Sequence, residues 1–227
     1  MLTSAAEDYL KALYKLQERH AVVTTNAIAE RMEVSAASVT GMMKKLADMG
    51  LVQHVRYQSI SLTDAGRKIA LEIIRHHRLL EVYLAEAMGY SWDQVDAEAE
   101  RLEHVISEEF EDRIDALMGY PTLDPHGSPI PRKDGTIDRP DHERLVNIQP
   151  GCTAVVRRVP DRDPNLLRYL GNLGLKPETK VDVLKKEPFD GPLLIRIGET
   201  EHHVGHQVAS SVWVDRQRET ERSVCGG

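Results

Sequence analysis

Apolar residues recur at helical spacing through residues 4–19, at Ala6, Leu10, Leu13 and Tyr14, with Thr3 or Ser4 placed to cap the segment. A second helix is expected from Thr25 to Met32. After the turn "EVS" a third helix starts at a Ser35 cap and stops at Gly50. Its apolar positions Val39, Met43 and Leu46, with Ile28 of the preceding helix, read as core. Two short alternating segments follow, "LVQHVRY" and "SISLT", which predict a small hairpin, and Thr63 caps the next helix. Helix, helix, turn, helix, hairpin is the order of a winged helix-turn-helix.

From Thr63 to about Ala87 the pattern predicts one long helix, apolar on more than one side (Ile69, Ile73, Ile74, Leu79, Leu80, Tyr83, Leu84). A helix apolar nearly all round needs further partners. A second long helix is expected from Trp92 to Met118, with Val95, Ala99, Leu102, Ile106, Phe110 and Leu117 as its stripe. The two suit an antiparallel pair that dimerises. "GYPTLDPHGSPIPRKDGTIDRPD" is an extended connector. From about Glu143 short strands alternate with turns, around one helical turn in "DPNLLRYLGNLG", and predict a small β-barrel. The expected fold class is α+β, with a winged helix-turn-helix over 1–73, a helical dimerisation and metal-binding domain with connector over 74–140, an SH3-like barrel over 141–216 and a flexible tail over 217–227.

The net charge of -7 over 227 residues argues against non-specific coating of nucleic acid, but it hides a local reversal. Residues 36–68 carry Lys44, Lys45, Arg56, Arg67 and Lys68 against only Asp48 and Asp64. A basic patch on the predicted winged helix points to sequence-specific DNA binding. The third helix should be the reader. Ser35, Ala36, Ala37, Ser38 and Thr40 are small enough to approach a major groove, and their hydroxyls can bond phosphates or base edges. Lys44 and Lys45 can neutralise phosphates, and Arg56 near the wing tip can contact the backbone or minor groove. A dimer would match a palindromic operator. Cys152 and Cys225 are far apart and read as reduced thiols. With no N-terminal signal pattern and no membrane-length apolar run, the expectation is a soluble, cytoplasmic protein with no membrane partner.

One segment crowds its charges. In "EAERLEHVISEE", at about 100° per residue, Asp96, Glu103 and His104 fall within roughly 60° of Glu100 on a continuous helix. Carboxylates so placed repel one another unless a cation offsets them. His77 and Glu81, one turn apart in the neighbouring helix, could share one cation or reach two adjacent ones. Oxygen and imidazole donors without sulfur favour manganese or ferrous iron, while the affinity order keeps zinc in contention. His202, His203 and His206 sit on or beside a predicted strand, where neighbours point to opposite faces, and are assigned no function.

These motifs, "EDYLKALYKL", "RHHRLLEVYL", "EAERLEHVISEE", "DPHGSPIP" and "LVNIQPG…LLRYLGNLGLKP", occur in an order that resembles the diphtheria toxin repressor family of metal-dependent transcriptional regulators. The likeness is greatest to the manganese-sensing branch with a C-terminal FeoA-like domain, and it covers nearly the whole chain. It implies that Asp8, His77, Glu100, Glu103 and His104 form a principal metal site. In the iron-sensing branch methionine and cysteine stand at the positions of Asp8 and Glu100, so the carboxylates favour Mn2+ over Fe2+, with Zn2+ or Cd2+ as in vitro ligands. Some manganese sensors carry a second acid three positions after the Asp, where this chain has Lys11. The resemblance also implies a second site from Glu81, Asp124 and His126, completed by Asp161 or alternatively Asp163; relatives often have Cys at the position of Asp124. The implied function is a homodimer that binds palindromic operator DNA when metal-loaded and represses metal-uptake genes, with no enzymatic activity. Two other readings are a metal-independent winged-helix repressor sensing a small molecule and a metal-dependent hydrolase.

Overall fold

The computed structural model describes residues 2–18, 22–53 and 59–217. Arg56 of the predicted wing tip, Cys225 and the tail over 218–227 lie outside the described residues. The chain forms two compact units: residues 1–80, 100–119 and 130–137 make the first, and 81–99, 120–129 and 138–227 the second.

In the first unit, α1 (Ser4–Gln17), α2 (Thr25–Met32) and α3 (Ala36–Asp48) start on hydroxyl caps from Thr3, Thr24 and Ser35. Each cap oxygen accepts an N–H that the first helical turn leaves open. The hairpin is antiparallel, β1 (Val52–Gln53) against β2 (Ser61–Leu62), with Val52 opposite Leu62. The predicted core residues Ile28, Val39, Met43 and Leu46 are all 0 % exposed and pack with Leu10 and Leu13 of α1.

Thr63 caps α4 (Asp64–Glu86), its Oγ1 accepting from Gly66 N. Up to Leu80 this helix belongs to the first unit, where buried Arg75 reaches Glu111, Asp115 and the Pro131 carbonyl. Those contacts tie α4 to α6 (Glu108–Leu117) and to the connector.

The single long helix expected from Trp92 to Met118 is two helices. The first, α5 (Val95–Leu102), ends before Glu103, and α6 begins on a Ser107 cap that accepts from Phe110 N at 3.2 Å. A serine is a far better cap than an interior residue, and β-branched Val105 and Ile106 precede it at the break. His76 Nδ1–H donates to the Glu103 carbonyl at 3.1 Å, replacing a helical partner in the turn. The expected stripe is also only partly buried: Phe110 is 43 % and Leu117 65 % exposed.

In the second unit a six-stranded antiparallel sheet has the order β3-β8-β4-β5-β6-β7. Its strands are β3 (Glu143–Arg144), β4 (Thr153–Arg158), β5 (Lys180–Lys186), β6 (Leu193–Ile197), β7 (Thr200–Val204) and β8 (Trp213–Arg216). The predicted single helical turn is a full helix, α7 (Pro164–Leu173), with Leu167 and Leu170 in the core; a short α8 (His206–Ala209) precedes β8. Cys152, expected as a reduced thiol, is not free. No helix among the described residues is long and apolar enough to cross a membrane.

Candidate metal centre

Two sets of three donors meet within the first unit and share Glu103: Asp8 with Glu103 and His104, and His77 with Glu100 and Glu103, the ligand atoms of each set lying within 4.8 Å of one another. Asp8 comes from α1, His77 from α4, Glu100 from the last turn of α5, and Glu103 and His104 from the turn behind it. The helix break matters here. On a continuous helix Glu103 would flank the stripe, whereas in the turn it points inward and is 0 % exposed.

In the first set, His104 Nε2 lies 2.8 Å from Asp8 Oδ1 and 3.3 Å from Glu103 Oε1. Its other nitrogen, Nδ1–H, donates to Glu7 Oε2 at 2.7 Å. That bond fixes the ring so that Nε2 faces the two carboxylates, the usual support for a metal-binding imidazole. Glu7 was not singled out from the sequence; its only signal there is adjacency to Asp8. Burial raises the Asp8 pKa, with Glu100 and Glu103 adding to it, against the pull of His104.

The second set surrounds an ammonium. Lys11 Nζ donates to Glu100 Oε2 at 2.7 Å and to Glu103 at 2.8 and 2.6 Å, and it lies 3.2 Å from His77 Nδ1. His77 Nδ1 is also 2.5 Å from Glu103 Oε2. Burial acts to raise Glu103, but the His77 hydrogen bond and the Lys11 charge outweigh it and hold the carboxyl below its ordinary range. The structure thus brings together all five expected principal ligands, and adds Lys11 among them. The donor set of carboxylate oxygen and imidazole nitrogen fits a hard or borderline divalent cation.

The second unit holds another set, Glu81, Asp124 and His126, all buried. Asp124 Oδ1 accepts from the His126 and Ser128 backbone N–H groups at 2.8 and 2.9 Å, which folds "DPHG" around the carboxylate. His126 Nε2–H donates to the Trp92 carbonyl at 2.7 Å, and Trp92 stacks on the ring at 5.9 Å. Nδ1 therefore turns toward Glu81 Oε1, 3.5 Å away. Burial would lower the His126 pKa, but the charges of Glu81 and Asp124 raise it, and Asp161 acts in the same direction. Asp163, the alternative fourth ligand, is instead the N-cap of α7, accepting from Asn165 N and Leu166 N.

On α3 the residues Ser35, Ala36, Ala37, Ser38, Thr40, Lys44 and Lys45 are all exposed, opposite the buried Val39, Met43 and Leu46. Two of the hydroxyls have local duties: Ser35 caps the helix, and Thr40 Oγ1–H donates to the Ala36 carbonyl at 2.9 Å.

Residues 1–60 match the iron dependent repressor N-terminal DNA binding domain, residues 63–132 the iron dependent repressor metal binding and dimerisation domain, and residues 143–216 the FeoA domain. The chain is 31 % identical over 230 residues to the iron-dependent repressor IdeR of Mycobacterium leprae, covering 95 % of this chain and 98 % of that protein. It is 32 % identical over 196 residues to the diphtheria toxin repressor of Corynebacterium efficiens, covering 82 % of this chain and 85 % of that protein. Its structure is similar to that of a manganese-dependent transcriptional repressor in complex with manganese, with a TM-score of 0.87, 39 % identity and coverage of 93 % of this chain and 100 % of that one. ScaR with bound Cd2+ matches with a TM-score of 0.80 at 34 % identity, over 93 % of this chain and 99 % of that one.

Proposed function

Because the chain belongs to the iron-dependent repressor family, whose members are metal-dependent transcriptional repressors, we propose that manganese is the metal it answers to and that Asp8, His77, Glu100, Glu103 and His104 form the centre through which it answers. The observation that carries this reading is the meeting of Asp8 from α1 with Glu103 and His104 from the turn after α5. α1 is part of the core that supports the reading helix, and the turn leads into α6.

A divalent cation, when bound, supplies positive charge and bonds to carboxylate oxygen and imidazole nitrogen. The chain does the rest. Asp8 Oδ1 and His104 Nε2, 2.8 Å apart, would hold the cation together with Glu103, and a shared cation would secure α1 to the α5–α6 turn. Glu7 keeps that nitrogen facing inward. His76 holds the Glu103 backbone in the turn. One conformer of the reading unit is then favoured over others, and metal shifts the population toward it. A hundredfold gain in DNA affinity needs about 2.7 kcal/mol of coupling, within the ordinary range.

The absence of sulfur from the donor set favours Mn2+, with Fe2+ as the second candidate and Zn2+ or Cd2+ as in vitro ligands. Glu81, Asp124 and His126, with Asp161, form a second site of the same donor chemistry. Two copies, joined through the region of the exposed Phe110 and Leu117, present two α3 helices to a palindromic operator controlling metal uptake. Operator binding titrated with Mn2+, Fe2+ and Zn2+ and then with chelator tests the reading. Binding should appear with Mn2+ and vanish with chelator, and Asp8→Ala should lose the metal response while keeping its helical circular dichroism. Chelator-resistant binding would remove metal from the mechanism.

Lys44 and Lys45 are exposed on the reading helix, placed to meet phosphates. Lys44→Ala should weaken operator binding about equally across sequences and reduce the slope of log K against log salt by about one. An unchanged slope in a salt titration would show that Lys44 faces no phosphate.

A further inference from the structure

Lys11 is the one group of the principal centre that has no place in a ligand set. Its side chain is 5 % exposed, and it rises from α1 one turn after Asp8. An ammonium has three N–H donors and no acceptor. Here those donors are met by Glu100 Oε2 at 2.7 Å and by Glu103 Oε1 and Oε2 at 2.8 and 2.6 Å, while His77 Nδ1, whose N–H donates to Glu103 Oε2, lies 3.2 Å from the ammonium. These are the atoms that a cation in the His77–Glu100–Glu103 set would need. His104 Nε2 faces Asp8 Oδ1 at 2.8 Å and Glu103 Oε1 at 3.3 Å, and that Oε1 also accepts from Lys11 at 2.8 Å, so one carboxylate oxygen joins the two halves.

We propose that Lys11 is a tethered cation that holds the His77–Glu100–Glu103 half of the centre in both metal-free and metal-loaded protein, so that the centre takes one divalent cation, in the Asp8–Glu103–His104 half. The proposal rests on the metal-dependent reading above and says how many ions that centre admits. A second divalent ion would need the volume of Nζ. Expelling Lys11 would strand a buried ammonium without its carboxylates, which is costly. Keeping it leaves Glu103 Oε1, which has two lone pairs, able to accept from the ammonium through one and to serve the metal through the other. Lys11 also offsets the repulsion between Glu100 and Glu103 before any metal arrives.

The experiment counts Mn2+ bound by the full-length chain, by equilibrium dialysis with electron paramagnetic resonance, in a His126→Ala background that silences the second site. With Lys11 present, one ion per chain and an uncoupled six-line spectrum are expected. Adding Lys11→Gln should raise the count to two, with the spectrum broadened by coupling between neighbouring ions. Two ions in the Lys11 chain, or one in the Lys11→Gln chain, overturns the inference and leaves the metal-dependent reading standing. No bound manganese in either chain sinks that reading itself. Should Lys11→Gln fail to fold, reductive methylation of the unaltered protein followed by peptide mass spectrometry decides the matter. Lys11 should stay unmodified with and without Mn2+, and its labelling on metal loading would show that it leaves the site.

Discussion

Glu103→Gln should abolish metal-dependent operator binding, with the affinity for Mn2+ at the principal centre falling a hundredfold or more. Glu103 is the hub of the cluster: it belongs to both donor sets, is 0 % exposed, and contacts Lys11, His77 and His104. Glutamine keeps the shape but removes the charge, and its NH2 group would face the ammonium of Lys11 or the N–H of His77. Removing one partner of a buried ion pair typically costs about 3–5 kcal/mol, because the other charge stays behind. Glu100 remains on Lys11 at 2.7 Å, so the loss should fall toward the lower end of that range. Two measurements separate the effects. Thermal denaturation of metal-free protein should show a lower midpoint than the unaltered chain, and added Mn2+ should fail to raise it. A variant that still gains stability from Mn2+ to the normal extent would remove Glu103 from the ligand set.

Gly127→Ala is expected to be the most damaging single change in the second unit. Gly127 has φ +84, and a Cβ there would stand 1.8 Å from the Arg157 carbonyl oxygen. That obstacle is backbone, inside β4, and cannot swing away as a side chain would. The next link, Val159 N to the His126 carbonyl at 3.0 Å, ties the same loop to the end of β4. An alanine must therefore push "DPHG" off the strand, carrying Asp124 and His126 with it. Left-handed backbone alone costs a non-glycine residue about 1–2 kcal/mol, and overpacking against fixed atoms adds about 1–3 kcal/mol. Metal counting should show the second site lost while the principal centre still fills. Two sites with normal affinity in Gly127→Ala would show that the close approach is not needed.

Much of the fold was legible because local signals agreed with one another. Thr3, Thr24 and Ser35 cap helices at the starts their side chains predict, and Ile28, Val39, Met43 and Leu46 are the core that helical spacing marks out. The exposed face of α3 follows from the same periodicity. The error at residues 92–118 has a clear cause. A continuous apolar stripe suggested one helix, but Ser107 offered a cap and His76, distant in sequence, offered the Glu103 carbonyl another partner. Periodicity cannot report a hydrogen bond from another helix.

The ligands divide in the same way. That carboxylates and histidines crowd residues 96–104 is a property of the sequence alone, and so is the oxygen-and-imidazole chemistry that excludes sulfur. The grouping of Asp8 with that segment is not, since the two are separated by some ninety residues and meet only when α1 packs in the first unit. Glu7 as the support of His104, Trp92 as the support of His126 and Asp163 as a helix cap are likewise decisions of tertiary structure. The clearest case is Lys11. In the sequence it is one basic residue on a polar helix edge, where a lysine normally reaches water. Folding buries it among Glu100, Glu103 and His77, where the negative charge of the two carboxylates offsets the cost of taking an ammonium out of water. The sequence determined which donors exist; packing decided that one of their cations is part of the chain.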